Sequence, residues 1–387
     1  MNWPDFQRRA HRASVLGLLL AAGWFAEVSG HAEAGYQKAP APIGDLLATP
    51  AAPSVIFNSQ RDALLIYRAE RHPPVADLAE PVLRLAGVRL NPANNGPHRS
   101  ARCVELTLRP LPEGKDRPVT LPANARISVP IWAPDGKQFA FVRYGSREVE
   151  LWVGESKRGS VRKLRGGLNA TLAEPFTWMP DSQTLICTTV PANRPKPPAD
   201  THLADGPVVQ EANGKPSPAR TFQDLLETPH DEALFEYYAT AQLMLVSTKS
   251  AESKPLGAPG IYVSAEPAPN GQLFLLARLV RPFSYQLPAS MFPRVVEVVG
   301  LDGKVAFELA RLPLAEEVPI GGVRPGPRNY HWRPTSGAML VWVEALDGGD
   351  SRKKVPHRDR LLMLESPFVG QPIELEKLEK KRNMCCY

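Results

Sequence analysis

The stretch from Ile131 to Gly167, IWAPDGKQFAFVRYGSREVELWVGESKRGSVRKLRGG, contains three short strand patterns separated by turn residues. Trp132-Ala133-Pro134-Asp135-Gly136 joins an aromatic residue to a Pro-Asp-Gly turn, in which proline fixes φ and glycine accommodates a positive φ. Phe139–Val142 is a continuous apolar run, which predicts a strand covered on both faces. Glu150–Val153 and Val161–Leu164 continue the alternation of strands and turns, so the stretch predicts an antiparallel meander.

The same unit of aromatic residue, turn and strand recurs along the chain. The turn prolines are Pro134, Pro180, Pro269 and Pro334, about 45 residues apart where the chain is compact, and Ile56–Asp62 is a degraded copy. Four short strands at this period predict an all-β fold, a β-propeller of four-stranded antiparallel blades. The five copies indicate about five blades, as in an incomplete propeller of seven or a similar number. A β-sandwich that happens to use Pro-Asp-Gly turns is the alternative.

The N-terminus has the pattern of a secretory signal peptide over residues 1–34. Three arginines precede the apolar run Ser14–Phe25, and small residues around Ala34 suit cleavage after that residue. The run is short for a membrane span, so the pattern predicts an exported protein, periplasmic or secreted, with no stable span after cleavage. A retained N-terminal anchor is the alternative.

The rest of the chain divides by composition. Residues 35–53 are a Pro/Ala-rich lead-in, residues 54–373 the predicted propeller, and residues 374–387 a divergent charged tail. A proline-rich insertion covers residues 191–218 and has no apolar period. Leu234–Val246, rich in Tyr and Leu, predicts strand. Helical patterns occur only at Ile43–Leu47, Thr221–Leu226 and Glu374–Lys381.

Composition narrows the classes of partner and cofactor. The net charge is +6, but the basic residues are scattered among acidic ones, which argues against a nucleic-acid partner. The same balance suits an acidic or carboxylate-bearing substrate. Four cysteines are too few for a disulfide framework, although Cys103 and Cys187 could pair after export. No cysteine or histidine lies at metal-ligand spacing, so we predict no metal and no other cofactor.

Six segments resemble a known family. They are YQKAPAPIGDLL, LRLAGVRLNPANNGPHR, ARTFQDLLETPHDEALFEYYATAQL, RPFSYQLPASMFPRVVEV, LPLAEEVPIGGVRPGPR and WVEALDGGDSRKKVPHRD. From about Tyr36 to about Ile373 the chain resembles the N-terminal half of the prolyl oligopeptidase family of serine peptidases, in its glutamyl endopeptidase branch. The resemblance implies a β-propeller followed by an α/β-hydrolase domain with a Ser-Asp-His triad. It also implies cleavage of peptides after glutamate, with the propeller restricting access to the active site.

This chain departs from the family pattern in one decisive respect. The nucleophile elbow Gly-x-Ser-x-Gly occurs nowhere in the 387 residues, and no alternation of strands and helices could build a hydrolase sheet. We therefore assign no catalytic residue, and we expect a truncated product that lacks the hydrolase domain and is inactive alone. One alternative is a stand-alone propeller that binds a protein. Another, an enzyme using its own central channel, would need clustered carboxylates or metal ligands, which the sequence does not show.

The resemblance also directs attention to residues that could contact a peptide. A site for glutamate needs a cation, preferably an arginine with its two-pronged guanidinium group. Arg281, Arg324 and Arg328 lie in the shared segments beside Pro or Gly, and Tyr285 could add a hydroxyl group. The alternative is that these arginines staple neighbouring blades.

A second set of polar residues has an alternative structural interpretation. Asp231-Glu232 and Glu236-Tyr237-Tyr238 invite comparison with the acidic pair of the dipeptidyl-peptidase branch. Packing, with buried tyrosines and solvated acids, is the favoured interpretation. We expect the recurring tryptophans, Trp132, Trp178 and Trp332, to be core residues.

Overall fold

The computed structural model describes residues 39–98, 102–122, 125–200 and 221–380. The predicted signal peptide with its cleavage site at Ala34, residues 201–218 of the insertion and residues 381–387 of the tail lie outside these ranges. Residues 1–50 and 51–387 form two separate compact units. In the described part of the first unit, α1 (Ala41–Ala48) confirms the helix predicted at Ile43–Leu47. None of the described helices is long and apolar enough to cross a membrane.

The described residues of the second unit form five antiparallel units of four strands each, which confirms the predicted β-propeller blades. A single long strand, β15 (Ser253–Pro267), pairs first with β14 and then with β16, so it completes one blade and begins the next. Blade 1 consists of β1 (Ser54–Phe57), β2 (Ala63–Ala69), β6 (Cys103–Pro110) and β7 (Arg117–Pro118), and blade 2 consists of β8 (Ile131–Trp132), β9 (Gln138–Tyr144), β10 (Val149–Glu155) and β11 (Val161–Leu168). Blade 3 consists of β12 (Phe176–Trp178), β13 (Thr184–Thr189), β14 (Ala241–Ser247) and the start of β15, and blade 4 consists of the end of β15, β16 (Leu273–Leu279), β17 (Arg294–Gly300) and β18 (Val305–Leu312). Blade 5 consists of β19 (Arg328–Trp332), β20 (Met339–Ala345), β21 (Asp359–Glu365) and β22 (Ile373–Leu378).

The recurring tryptophans connect successive blades. Each indole Nε1–H donates to a backbone carbonyl in the first strand of the preceding blade, one position before the residue that matches the tryptophan. The three bonds are Trp132 to Ile56 at 3.1 Å, Trp178 to Ile131 at 3.0 Å and Trp332 to Glu266 at 3.0 Å. Trp178 and Trp332 are buried and Trp132 is half-buried. The repeated aromatic residue therefore fixes how one blade sits against the next.

The core consists of apolar layers between blades. Phe139 and Phe141 of blade 2 pack with Leu65 and Leu108 of blade 1. A similar layer joins blades 4 and 5 around Trp332. Continuous apolar runs such as Phe139–Val142 are buried on both faces, as their sequence predicts.

Residues 119–130 and 313–327 connect one blade to the next, and four further long connections join the second strand of a blade to its third strand. These four span residues 70–102 in blade 1, 190–240 in blade 3, 280–293 in blade 4 and 346–358 in blade 5. We call the end of the blades from which they emerge the insertion face. Its elements are α2 (Val75–Leu78), β3 (Leu83–Leu85), β4 (Val88–Asn91), β5 (Gly96–Pro97), α3 (Pro229–Ala239) and a 3₁₀ turn (Ala289–Met291).

Three of these connections share a hydrophobic core of their own. Leu85 and Leu90 from blade 1, Phe235 from blade 3, and Phe283 and Phe292 from blade 4 are buried in one cluster. The Phe235 ring meets the Phe283 and Phe292 rings edge-on, with centroids 5.3 and 5.7 Å apart. The side chains at this end are therefore held by packing across blades.

Two predictions around α3 are wrong. Thr221–Leu226 is not helical, and the strand predicted from Leu234 begins only at Ala241. The helix lies between them, because Thr228 and Asp231 form a reciprocal capping box and Pro229 occupies the first turn. These start signals outweigh the strand preference of the tyrosines.

The helix predicted at Glu374–Lys381 is also wrong. Residues Ile373–Leu378 form β22, which pairs with β21 and completes blade 5. Pairing along the exposed edge of a blade prevails here over the helical preference of Glu and Lys.

The cysteine pair left open by the sequence does not form. Cys103 and Cys187 are free thiols buried in different core clusters. Burial raises the pKa of Cys103 to about 11 and that of Cys187 to about 12, so both remain protonated thiols.

Candidate functional site

All four residues proposed for peptide contact lie at the insertion face. Arg281 and Tyr285 belong to the long connection of blade 4. Arg324 lies between β18 and β19, and Arg328 begins β19. In an antiparallel blade the first strand begins and the second and fourth strands end at the same end of the blade. The topology therefore brings these residues to one end.

Arg281 is neutralised by two carboxylates of α3. It forms an ion pair with Glu232, and its Nη2 lies 2.6 Å from Oε2 of Glu236. The hydrogen bond with Glu236 is the main reason that the pKa of Arg281 is raised. Arg281 thus ties the blade 3 helix to the blade 4 connection, as the stapling alternative proposes. Its role in binding a peptide remains a prediction.

Tyr285 completes this acidic cluster. Its hydroxyl donates to Oε2 of Glu232 at 2.8 Å. Burial and the bond to Glu232 raise the pKa of Tyr285 to about 12, so the phenol remains a neutral donor. With one cation against two carboxylates, the group formed by Arg281, Glu232, Glu236 and Tyr285 carries a net negative charge. Such a charge repels a substrate carboxylate.

Arg328 is also neutralised by a carboxylate, within its own blade. Its Nη2 lies 2.5 Å from Oδ2 of Asp359, and Asp359 is fully buried at the start of β21. The pair bridges the first and third strands of blade 5 across β20. A buried aspartate of this kind requires its cation to remain in place.

Arg324 differs from both. Its Nη2 donates to the carbonyls of Met291 at 2.6 Å and Phe292 at 3.1 Å. No Asp or Glu oxygen of the described residues lies within 4.0 Å of its guanidinium group. Burial, with a contribution from the charge of Arg294, lowers the pKa of Arg324 to about 10. Arg324 is therefore a half-buried cation, still protonated at neutral pH, whose charge is not compensated by an acid in the described chain.

Arg294 is a functional candidate that our sequence reasoning missed. It begins β17, and its Nη2 donates to the carbonyl of Ser290 at 2.5 Å. Its Nε is buried and has no acceptor among the described residues, and no described carboxylate pairs with it. The available signal was the position of Arg294 after Pro293 in the shared segment RPFSYQLPASMFPRVVEV.

The acidic and aromatic residues of α3 have mainly structural contacts. Tyr238 is buried, and the guanidinium of Arg194 lies 4.4 Å from the ring centroid of Tyr237. Asp231 caps the helix. The expectation of buried tyrosines holds for Tyr238, but Glu232 and Glu236 are paired with Arg281 and are not simply solvated.

A cleft of about 1100 Å³ lies between blades 1 and 2. Most of its charged groups are paired: Asp77 is held between Arg102, at 3.1 Å, and Arg126, which also pairs with Glu70 at 3.4 Å. Glu80 also lines the cleft, forms no ion pair among the described residues, and accepts a hydrogen bond from Asn91 at 2.8 Å. Across the described ranges, no three His, Cys, Asp or Glu side chains come together as metal ligands do.

Glu266, in the first strand of blade 4, has a carboxyl group whose pKa lies well above its ordinary value. Burial raises its pKa to about 7, and the backbone N–H of Trp332, at 3.4 Å from Oε1, opposes the shift only weakly. It lines a small cavity of about 260 Å³ between blades 3 and 4, together with Cys187 and Ser264.

Comparison with known proteins identifies relatives of this chain. No family model matches it. The probable glutamyl endopeptidase of the chloroplast of Oryza sativa subsp. japonica is 36% identical over 365 residues, which cover 89% of this chain and 39% of the rice protein. The counterpart in Arabidopsis thaliana is 35% identical over 364 residues, or 89% of this chain and 38% of that protein. The chain is a homologue of glutamyl endopeptidases.

The match to these glutamyl endopeptidases confirms the family resemblance predicted from the sequence. The chain spans about two fifths of the length of these relatives. Solved structures that resemble it include the β-propeller domain of the Trilobed protease from Pyrococcus furiosus, with a TM-score of 0.42 and 11% identity over 84% of this chain and 72% of that one. Another is the Pyrococcus horikoshii acylaminoacyl peptidase, with a TM-score of 0.40 and 12% identity over 81% of this chain and 38% of that one. These scores are too low to carry an argument, and the description of the fold rests on the blades themselves.

Proposed function

We propose that this chain is the substrate-gating propeller portion of an exported serine peptidase related to glutamyl endopeptidases. The observation that carries the proposal is 36% identity over 89% of the chain to a relative more than twice its length. The chain contains no Gly-x-Ser-x-Gly motif. We assign the chemistry to an α/β-hydrolase portion and the selection of substrates to this chain.

The insertion face supports a gating role. Its connections are held by a common apolar cluster, so they present a preorganised surface to an approaching peptide. The surface carries an acidic group around Arg281 and the two cations Arg294 and Arg324. A surface of this kind selects for the shape and charge of what passes it.

The proposal of export rests on the N-terminal sequence. Three arginines, an apolar run and small residues before Gly35 follow the order of a secretory signal peptide. A peptidase with such a leader acts on peptides outside the cytoplasm.

A chimaeric enzyme tests the gating function. The 365-residue matching stretch of the rice relative would be replaced by the corresponding stretch of this chain. We expect the chimaera to hydrolyse a short peptide with one internal glutamate, and to spare a folded protein that displays the same sequence in a surface loop. The unmodified rice protein is the control. Comparable cleavage of the peptide and the folded protein would contradict gating. So would a chimaera that a fluorophosphonate labels at serine but that hydrolyses no peptide.

A further inference from the structure

We propose that the guanidinium groups of Arg294 and Arg324 together form a binding site for a carboxylate group at the insertion face. The ligand is a peptide carboxylate, supplied by a glutamyl side chain or by a C-terminus. The choice of a peptide as ligand rests on the proposed function, whereas the anion site itself rests on the geometry of the two arginines.

Both arginines are anchored on the same short segment. Arg294 bonds to the carbonyl of Ser290, and Arg324 bonds to the next two carbonyls, those of Met291 and Phe292. The segment is fixed in turn, because the backbone N–H of Ala289 donates to Ala86 of the blade 1 connection at 2.7 Å. The two cations are therefore held next to each other by packed backbone, which lowers the entropic cost of binding a ligand between them.

The charge of this pair is uncompensated. Carbonyl oxygens carry only partial charges, and no described carboxylate forms an ion pair with Arg294 or Arg324. The other two candidate arginines, Arg281 and Arg328, each have a carboxylate partner. Like charges in partly buried surroundings repel each other, and an anion between them offsets that repulsion.

The donor geometry suits a carboxylate. A guanidinium group has five N–H donors in a planar fork, and each of these arginines uses only its Nη2 in a recorded hydrogen bond. The remaining N–H groups can pair with the two oxygens of a carboxylate. An uncharged amide presents one acceptor oxygen and a repelled NH₂ group, so the site discriminates glutamate from glutamine.

The test follows peptide binding through the arginines themselves. The whole chain would be labelled with ¹⁵N-arginine, and the Nε–H signals would be recorded during titration with three acetylated pentapeptides. One has a central glutamate and an amidated end, the second has glutamine at that position, and the third has glutamine and a free C-terminal carboxylate. We expect the glutamate peptide to bind about tenfold or more tightly than the amidated glutamine peptide, because charge-assisted hydrogen bonds are lost in the latter.

Variants locate the site. We expect Arg294→Gln and Arg324→Gln each to weaken binding of the glutamate peptide about tenfold, and Arg324→Lys to retain part of it. Arg311→Gln is the matched control, since it removes one positive charge from the neighbouring strand at an exposed residue paired with Glu308. Melting curves of all variants distinguish unfolding from loss of binding. If Arg324→Gln unfolds, Arg294→Gln still tests the site, because Arg294 makes a single hydrogen bond to the described chain.

The outcomes separate this inference from the proposed function. Binding by the free-carboxylate peptide alone would support the anion site and contradict recognition of glutamate by this chain. Binding by both carboxylate-bearing peptides supports the site with either source of ligand. Equal binding of all three peptides, no saturable shift at millimolar concentrations, or equal losses in Arg311→Gln would overturn the proposal.

Discussion

At the scale of the residue, the partner of an arginine determines what that arginine can do. Arg281, Arg324 and Arg328 lie at one end of the blades, yet only Arg324 lacks a carboxylate partner in the described chain. The exposed pair of Arg281 and the buried pair of Arg328 differ in their surroundings. That difference has a measurable consequence for stability.

We predict that Arg328→Gln destabilises the protein far more than Arg281→Gln. Removing Arg328 breaks the ion pair of the fully buried Asp359, and breaking a buried ion pair costs about 3–5 kcal/mol. Arg281 is 53% exposed, so loss of its ion pairs costs about 0.5–1 kcal/mol. Urea denaturation of the two variants beside the parent chain measures both values. Equal costs would show that the two ion pairs are not in different surroundings.

Glu266 predicts a specific pH dependence of stability. Its pKa is raised by burial from 4.5 to about 7, so the folded protein holds this proton more tightly than the unfolded chain does. The resulting stability is fully present below pH 4.5 and is lost as the pH rises to about 7. Because glutamine does not ionise, we expect Glu266→Gln to become more stable than the parent chain by about 3 kcal/mol above neutral pH.

Thermal melts across this pH range check the prediction for Glu266. Glu155→Gln, at an exposed position in blade 2, is the matched control and should track the parent chain at every pH. A constant difference in stability between Glu266→Gln and the parent chain would mean that Glu266 is ionised normally in the folded state.

At the scale of the element, α3 positions two of the charged side chains of the insertion face, so their placement depends on the stability of this helix. The helix carries Glu232 and Glu236, which hold Arg281, and its N-terminus is fixed by the capping box of Thr228 and Asp231. The helix is 11 residues long, and helices of this length are marginal without caps and packing.

We therefore predict that Thr228→Ala destabilises the protein by about 1 kcal/mol, since it removes one half of the capping box. Urea denaturation measures the change, and amide hydrogen exchange in α3 shows whether the loss is local. Thr120→Ala is the control, because Thr120 is exposed and has no recorded side-chain hydrogen bond. Equal effects of the two substitutions would exclude a capping role for Thr228.

The strands could be predicted from the sequence, whereas the long connections could not. Runs such as Phe139–Val142 and the repeated tryptophans determine the blades locally, since each needs only its own alternation and turn. By contrast, α3 was missed because its tyrosines favour strand while its helix signal consists of a single cap. The partners of the arginines were missed for the same reason, because Glu232 reaches Arg281 only once α3 is helical.

At the scale of the whole molecule, the blade topology places long connections between strands together at one end of the blades. The connections between second and third strands are long in four blades, and those of three blades share one apolar cluster. The tryptophan hydrogen bonds between successive blades hold the strands from which these connections emerge. A propeller built in this way can vary the connections of its insertion face without disturbing its core.

Our central proposal is that this chain recognises peptides and that an α/β-hydrolase portion, as in the proposed function, would cleave them. The most direct measurement combines titration of the purified chain with the amidated glutamate peptide and mass spectrometry of the peptide afterwards. We predict saturable binding, recovery of the intact peptide and no serine labelled by a fluorophosphonate. Recovery of peptide fragments cut after glutamate by this chain alone would contradict the proposal.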